Sequence, residues 1–339
     1  MTVKVLHIGL GIRGSHWLGF VAGHAGTQTV ACVDADKDAL DRARGQVDTD
    51  VRLHSDVSEA IEAGGADAAL IASPSHLHAD HAIAALEAGM SVMIEKPFAQ
   101  DVAEARRILE VARRQQRQVV IAENYRYWPS ERTIREWVAG GRLGPIHNVT
   151  LVDRRHMPSR TEGPWLAKID HPQLGEIGIH HIDSLRGMLM AEPVSVMAHS
   201  WNPKNSDYSH GACTAATLRL GDTRVQYMGT LTSPRFSFSL RLEGEKGELW
   251  TNRRYVFFRP PGQRFFRPVR NVAVPPGDEK KYPQGGTTSL LQSLCNAVEK
   301  NEPAETSGED NLGTLAAVQA AKRSDLERRT VEIGEILEG

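Results

Sequence analysis

Cysteine is scarce in this chain. Three occur among 339 residues, Cys32, Cys213 and Cys295, and none has a CxxC spacing. That argues against a disulfide framework and fits a reducing compartment. Long apolar runs are missing too, and no stretch reaches the length of a membrane-spanning helix. A strand pattern starts directly after Met1, which leaves no room for a cleavable leader, so a cytoplasmic location is the expectation. Excess charge of either sign is absent, the formal net charge being -2. Nucleic acid and anionic membrane are therefore not expected partners. Internal repeats and low-complexity tracts are also lacking. What remains is an ordinary globular composition, 40% hydrophobic and 24% charged, in a length sufficient for two domains.

Residues 1 to about 122 alternate short apolar runs with helical patterns. Strands are predicted at 3–8, 29–33, 68–71, 91–94 and 119–122, and helices at 15–25, 37–44, 79–88 and 102–115, with Gly89 closing the third helix. Such alternation builds a parallel, doubly wound sheet. The pattern then changes. Strands at 147–156, 194–199, 212–220, 223–231, 236–243 and 247–251 follow one another through turn-like links such as Gly221-Asp222, which predicts a mainly antiparallel sheet. One helix interrupts them at about 178–189, a long loop is expected around 259–283, and helices are predicted at 288–299 and 311–328. The fold class is α/β, with a first domain at 1–123 and a second at 124–339. The helix at 311–328 is expected to pack back on the first.

Gly9-Leu10-Gly11-Ile12-Arg13-Gly14 lies between the first strand and the first helix, the context that a dinucleotide fingerprint requires. Gly9 allows the tight turn, Gly11 lets backbone approach a pyrophosphate, and Gly14 lets helix and strand pack closely. Asp34 ends the second strand, where a carboxylate accepts hydrogen bonds from the adenosine ribose. Its charge repels a 2′-phosphate and no arginine directly follows it, so NAD is expected over NADP. Arg13 is the residue that would still reach a 2′-phosphate. Ser73-Pro74 and His78 follow the strand at 68–71 and are expected near the nicotinamide. His76, His78 and His81 invite a metal reading. Yet they have no cysteine partner and run into a helix, so polar residues at a helix start beside a cofactor explain them better, and no metal is expected.

Glu95-Lys96-Pro97 ends the strand at 91–94. In open α/β sheets, ligands bind beyond the carboxyl ends of strands, so Lys96 is placed to meet substrate beside the cofactor. Pro97 fixes the local backbone and Glu95 supplies a neighbouring charge. A solvated lysine after a strand is the plainer alternative. Glu176 and His180 are four apart, so on a helix they share a face. An imidazole takes a proton from an alcohol near neutral pH, and a carboxylate orients it. A helix-entry charge and a packed histidine would look the same in sequence. Arg154-Arg155-His156, with Arg160 following, suggests an anionic or strongly polar substituent on the substrate. Along a strand, Arg155 points one way and Arg154 and His156 the other.

Taken together, these motifs resemble the glucose–fructose oxidoreductase / inositol dehydrogenase / rhizopine-catabolism (Gfo/Idh/MocA) family of NAD(P)-dependent oxidoreductases over nearly the whole chain. The resemblance extends through Asn124-Tyr125-Arg126, Glu176 to Asp183, Glu243 to Glu248 and Ser307-Gly308-Glu309-Asp310. It implies a Rossmann domain, then an α/β domain with a large open, mostly antiparallel sheet, and homodimers or homotetramers that pack these sheets. It places the family's lysine at Lys96 and its histidine at His180. The position four before that histidine is usually aspartate; here Glu176 adds a methylene, a displacement of about an ångström that is able to cost on the order of 100-fold in rate. The implied activity is a sugar, sugar-derivative or cyclitol dehydrogenase. Tyr125, Arg126, Tyr127, Trp128, Arg155, His156, Trp165 and His181 would shape the substrate pocket, with packing or subunit contact as the alternative. A redox-neutral glycoside-cleaving enzyme with transient sugar oxidation and an inactive NAD-binding regulator are the rival readings.

Overall fold

Near-continuous burial marks the first strands in the computed structural model, which describes residues 1–158, 166–204 and 206–339. β1 (Val3–Ile8), β2 (Thr27–Val33), β3 (Arg52–His54), β4 (Ala68–Ile71), β5 (Ser91–Ile94) and β6 (Val119–Ile121) form a parallel sheet in the order β3-β2-β1-β4-β5-β6. Strands that are apolar on both faces need cover on both. Helices α1 (Ile12–Ala22), α2 (Lys37–Arg44), α3 (Val57–Glu62), α4 (His78–Glu87) and α5 (Val102–Gln115) alternate with them. In α5, Asp101 accepts the Glu104 amide at the start, Gln116 ends the helix in the left-handed conformation, and Ala105, Ile108, Leu109 and Ala112 are buried. Gly89 adopts φ +81° after α4, as a helix-ending glycine does. β3 and α3 stand where the sequence predicts nothing, because three half-buried residues are too few to show an alternation.

α6 (Pro129–Ala139) was not expected either; it opens on Pro129, a residue suited to the first turn. β7 (Ile146–His156) follows. A π-helical turn, Gln173–Gly178, leads directly into α7 (Ile179–Leu189). Then come β8 (Pro193–Trp201), β9 (Cys213–Leu220), β10 (Thr223–Thr230), β11 (Thr232–Gly244), β12 (Gly247–Thr251), β13 (Val256–Arg259) and β14 (Arg267–Val269). The chain closes with α8 (Thr287–Lys300), α9 (Gly308–Glu327), β15 (Val331–Glu332) and α10 (Gly334–Leu337). The second sheet has nine strands in the order β14-β13-β12-β11-β7-β10-β9-β8-β15, antiparallel except where β7 runs parallel to β10. The stretch expected as a long loop thus contains β14, which pairs with β13. No helix among the described residues is long and apolar enough to cross a membrane.

The chain divides into one unit of Met1–Asn124 with Pro275–Leu312, and another of Tyr125–Val274 with Gly313–Gly339. This differs from the expected single boundary at 123/124. Residues 275–312 return to the first sheet, whereas the helix expected to do so, at 311–328, belongs from Gly313 onward to the second unit. The reason lies at β6, an edge strand with unpaired backbone groups. The Ile121 amide donates to the Thr306 carbonyl at 2.7 Å, and Val120 bridges Ser307. Asn124 Nδ2 donates to the Gly285 carbonyl at 2.7 Å.

In the second unit a buried ion pair anchors α7. Arg126 Nε and Nη2 donate to the two oxygens of Asp183 at 2.7 and 2.8 Å, and Thr314 Oγ1 donates to Asp183 Oδ1 at 3.0 Å. Removing one partner of such a pair strands a charge in the interior. Arg126→Ala is therefore expected to destabilise the fold by about 3 kcal/mol, seen as a lower urea midpoint with little change of slope.

Candidate functional site

The reversal of strand order between β1 and β4 is the switch point of a doubly wound sheet, where a crevice opens beyond the carboxyl ends. Gly9 leaves β1 at φ +92°, and a Cβ there would stand 2.4 Å from the Ser73 amide nitrogen. A Cβ on Gly14 would stand 2.0 Å from the Gly9 carbonyl, so α1 and β1 touch through bare backbone. Gly11 is different. It caps α1 with no side-chain hydrogen bond, and a Cβ on it would meet nothing within 4 Å. Uncapped amides beside open space suit a pyrophosphate. Ile12 is exposed beside them. At the end of β2, Asp34 accepts the amides of Leu10 at 2.6 Å and Asp36 at 2.9 Å. These residues fit a dinucleotide.

Arg13 is turned elsewhere. Its Nε donates to Glu95 Oε1 at 2.5 Å and its Nη1 to the Pro283 carbonyl at 3.2 Å, while Trp17 and Tyr282 flank the guanidinium at 5.1 and 5.9 Å. Trp17 Nε1 also donates to Glu95 at 2.6 Å. Burial favours the protonated Glu95 carboxyl, but Arg13 and Trp17 outweigh it and hold the group below the usual carboxylate range. Glu95 and Arg13, expected at the cofactor, thus form an internal brace beneath the loop that carries Lys96. Lys96 itself is half-buried, one residue past Glu95, and its peptide bond to Pro97 is cis.

Ser73 and Pro74 lie beyond β4, with Ser73 Oγ 2.9 Å from His81 Nδ1. Both ring nitrogens of His78 face backbone carbonyls. The residue is buried, with Nδ1 2.8 Å from the Pro97 carbonyl and Nε2 2.9 Å from the Ser73 carbonyl, so its ring ties the loop after β4 to the loop after β5. Among the described residues, no group of three or more His, Cys, Asp or Glu side chains is placed to hold a metal.

In the second unit, Glu176 is half-buried on the π-turn and His180 is buried on the first turn of α7. π-Turns are rare and concentrate at functional sites. Tyr125 stacks on His180 with ring centroids 4.4 Å apart and planes 18° apart, and on Trp128 at 4.1 Å. Tyr127 is buried under Arg132. Arg126 is committed to Asp183 and is a structural cation rather than a pocket residue. Arg155 Nε donates to Asp153 at 2.9 Å and its Nη2 to the Tyr125 hydroxyl at 3.1 Å, so a carboxylate already balances its charge. Arg154 and His156 are exposed on the opposite face of β7, as alternation predicts. His181 is wholly buried between Asp153 and Tyr227 rather than lining a pocket. Trp165 and Arg160 lie outside the described residues.

Several residues escaped the sequence reading. Asp153 lies under α7, and burial opposes its ionisation, but His181, Arg155 and Arg253 hold it ionised far below the usual range. A signal was there: Val149, Leu151 and Asp153 share the core-facing side of β7, so an acid occupies an apolar position. Arg253 sits 4.4, 4.7 and 3.9 Å from the ring centroids of Tyr125, Trp128 and Phe238, and pairs with Glu131 at 3.2 Å. Lys322 is held below its usual range by burial, which Asp170 and Glu176 oppose.

Against known proteins, the profile of the oxidoreductase family with an NAD-binding Rossmann fold matches residues 3–123, and that of the GFO/IDH/MocA C-terminal domain matches residues 132–250. The chain is 27% identical to an inositol 2-dehydrogenase of Rhizobium meliloti over 98% of this chain and 100% of that protein. It is 27% identical to a D-apiose dehydrogenase of Paraburkholderia graminis over 91% of this chain and 84% of that protein. Its fold is similar to that of an oxidoreductase from Agrobacterium radiobacter in complex with NAD+, L-tartaric acid and magnesium, with a TM-score of 0.89 at 19% identity, covering 99% of this chain and 100% of that one.

The glycines make separable predictions. Gly11→Val fills space that no protein atom uses, so dinucleotide affinity is expected to fall at least about tenfold with the melting temperature unchanged. Gly14→Ala forces a side chain into backbone and is expected to cost about 3 kcal/mol of stability. Cofactor titration and thermal melts of both variants check the contrast.

Proposed function

The chain belongs to the Gfo/Idh/MocA oxidoreductases, and from that premise we propose that it is an NAD-dependent dehydrogenase acting on a secondary alcohol of a sugar, sugar derivative or cyclitol. The observation that carries this reading is the position of Lys96, at the carboxyl end of β5 and next in the sheet to the β1/β4 switch point. A lysine there is suited to a substrate oxygen beside the nicotinamide. The names of the relatives, inositol 2-dehydrogenase and D-apiose dehydrogenase, support the substrate class.

NAD, when bound, supplies the hydride acceptor. The amides at the start of α1 hold its pyrophosphate and Asp34 its adenosine ribose. Lys96 binds the substrate hydroxyl oxygen and stabilises the negative charge that develops as the proton leaves. His180 receives that proton at a ring nitrogen, with Glu176 as the carboxylate on the preceding turn. The reading includes a cytoplasmic homo-oligomer built on the open face of the second sheet, where Met197 is exposed.

A panel of sugars, sugar acids, cyclitols and glycosides, followed by NADH absorbance and product mass together, tests the assignment. Accumulating NADH with a ketone product supports it. Product without net NADH would move the assignment to redox-neutral glycoside cleavage. Tight NAD binding without turnover of any panel member would leave a regulator.

NAD is expected to bind more tightly than NADP, because Asp34 lines the ribose position and Arg13 is committed to Glu95. Titration of both cofactors decides this, and tighter NADP binding would sink the role given to Asp34. With an identified substrate, Lys96→Ala is expected to lower kcat by about 1000-fold while NAD affinity stays within about tenfold. Unchanged turnover would remove Lys96 from the mechanism.

A further inference from the structure

A missing side chain makes the slot that seats the π-turn. Gly229 lies on β10 two residues past Tyr227, so both face the same side of the sheet. A Cβ on Gly229 would stand 1.8 Å from Gln173 Nε2 and 2.6 Å from the Tyr227 hydroxyl. Gln173, the first residue of the turn, fills that space fully buried, and its Nε2 donates to the Tyr227 hydroxyl at 2.6 Å. At the other end of the turn, a Cβ on Gly178 would stand 3.4 Å from the same hydroxyl. The Ile179 amide donates to the Leu174 carbonyl, the register of a π-helix. One phenol therefore hydrogen-bonds the start of the widened turn and lies close to its end.

From Tyr227 the hydrogen bonds run in one direction. Its hydroxyl already receives the Gln173 N–H and lies 3.1 Å from His181 Nδ1. The other ring nitrogen, Nε2, lies 3.0 Å from Asp153 Oδ2, a close charge contact whose geometry falls short of a hydrogen bond. A lone pair on Nε2 would face a carboxylate, so the proton belongs on Nε2, and Nδ1 accepts the Tyr227 O–H. The groups facing His181 are Asp153, Arg155, Arg253 and Tyr227; burial pushes its imidazole down to about 4 despite Asp153, which keeps the ring neutral at neutral pH. Asp153 accepts Arg155, Arg155 donates to the Tyr125 hydroxyl, and Tyr125 stacks on His180. The chain of contacts leaves the helix at Gln173 and comes back to it at His180.

We propose that Gln173, Tyr227 and His181 are positioning residues that fix the height and ring plane of His180, with Gly229 as the notch that admits them. The kinetic consequence rests on the dehydrogenase reading; the proton assignment does not. Tyr227→Phe keeps the ring but removes the partner shared by Gln173 and His181. Nitrogen-resolved NMR of the histidines in the full chain at neutral pH should find the His181 proton on Nε2; in Tyr227→Phe the proton should stay there while the Nδ1 resonance, stripped of its O–H donor, shifts. A proton on Nδ1 in the wild type, or an Nδ1 resonance unmoved in the variant, overturns the proposal whatever the substrate proves to be. With a substrate identified, kcat should fall about tenfold through misplacement of His180, while KM and NAD affinity move less than about threefold. Unchanged kcat in Tyr227→Phe overturns it as well. A wild type that turns over no sugar or cyclitol removes the dehydrogenase reading and leaves the proton assignment to be judged on its own.

Discussion

The reversal of strand order between β1 and β4 is the constraint on which the first unit depends. Crossovers leave these neighbours toward opposite sides, so neither covers the carboxyl edge between them. The exits then come within backbone contact: Gly9 meets Ser73, and Gly14 meets Gly9, with no room for a Cβ at either glycine. Open space at Gly11 and uncapped amides at the start of α1 follow from the same geometry. The positions where protein forbids a side chain and the one that opens onto free space sit within six residues of one another.

Beyond β5, the Lys96 loop has two supports of different kind. One is charge: Glu95, ionised despite burial, takes Arg13 and Trp17. The other is backbone: His78 spans from the Pro97 carbonyl to the Ser73 carbonyl. A flexible side chain that acts on a substrate gains precision when its own backbone has few alternatives. Residues that look like cofactor contacts in sequence here brace the loop that carries Lys96.

The second unit meets a different problem, a carboxylate beneath a helix. Burying Asp153 is costly unless hydrogen bonds and opposite charge compensate. His181, Arg155 and Arg253 do so, and each is tied further out, to Tyr227, to Tyr125 and to Glu131. Polar partners tolerate less angular slack than apolar ones. The network therefore specifies orientation as well as stability, and Tyr125 passes that orientation to His180 by stacking.

Much of this was legible in the residue order. The strand–glycine–helix turn is a local object, and its three glycines follow from steric rules within a few residues. Apolar runs alternating with amphipathic helices declare a parallel sheet, because burial on both faces removes the period of two. Lys96 and Asp34 could be placed because strand ends are visible and ligands collect beyond them. What the residue order did not contain was pairing between distant positions. Arg126 looked like a pocket residue until Asp183 took it, and His78 looked like a cofactor contact but its ring lies between two backbone carbonyls. Residues 275–312 carry no mark of their destination, since the need they meet belongs to the unpaired edge of β6. Local sterics and periodicity are written in neighbouring residues; the partner of a buried polar group is decided by whichever distant segment the fold brings within hydrogen-bond reach.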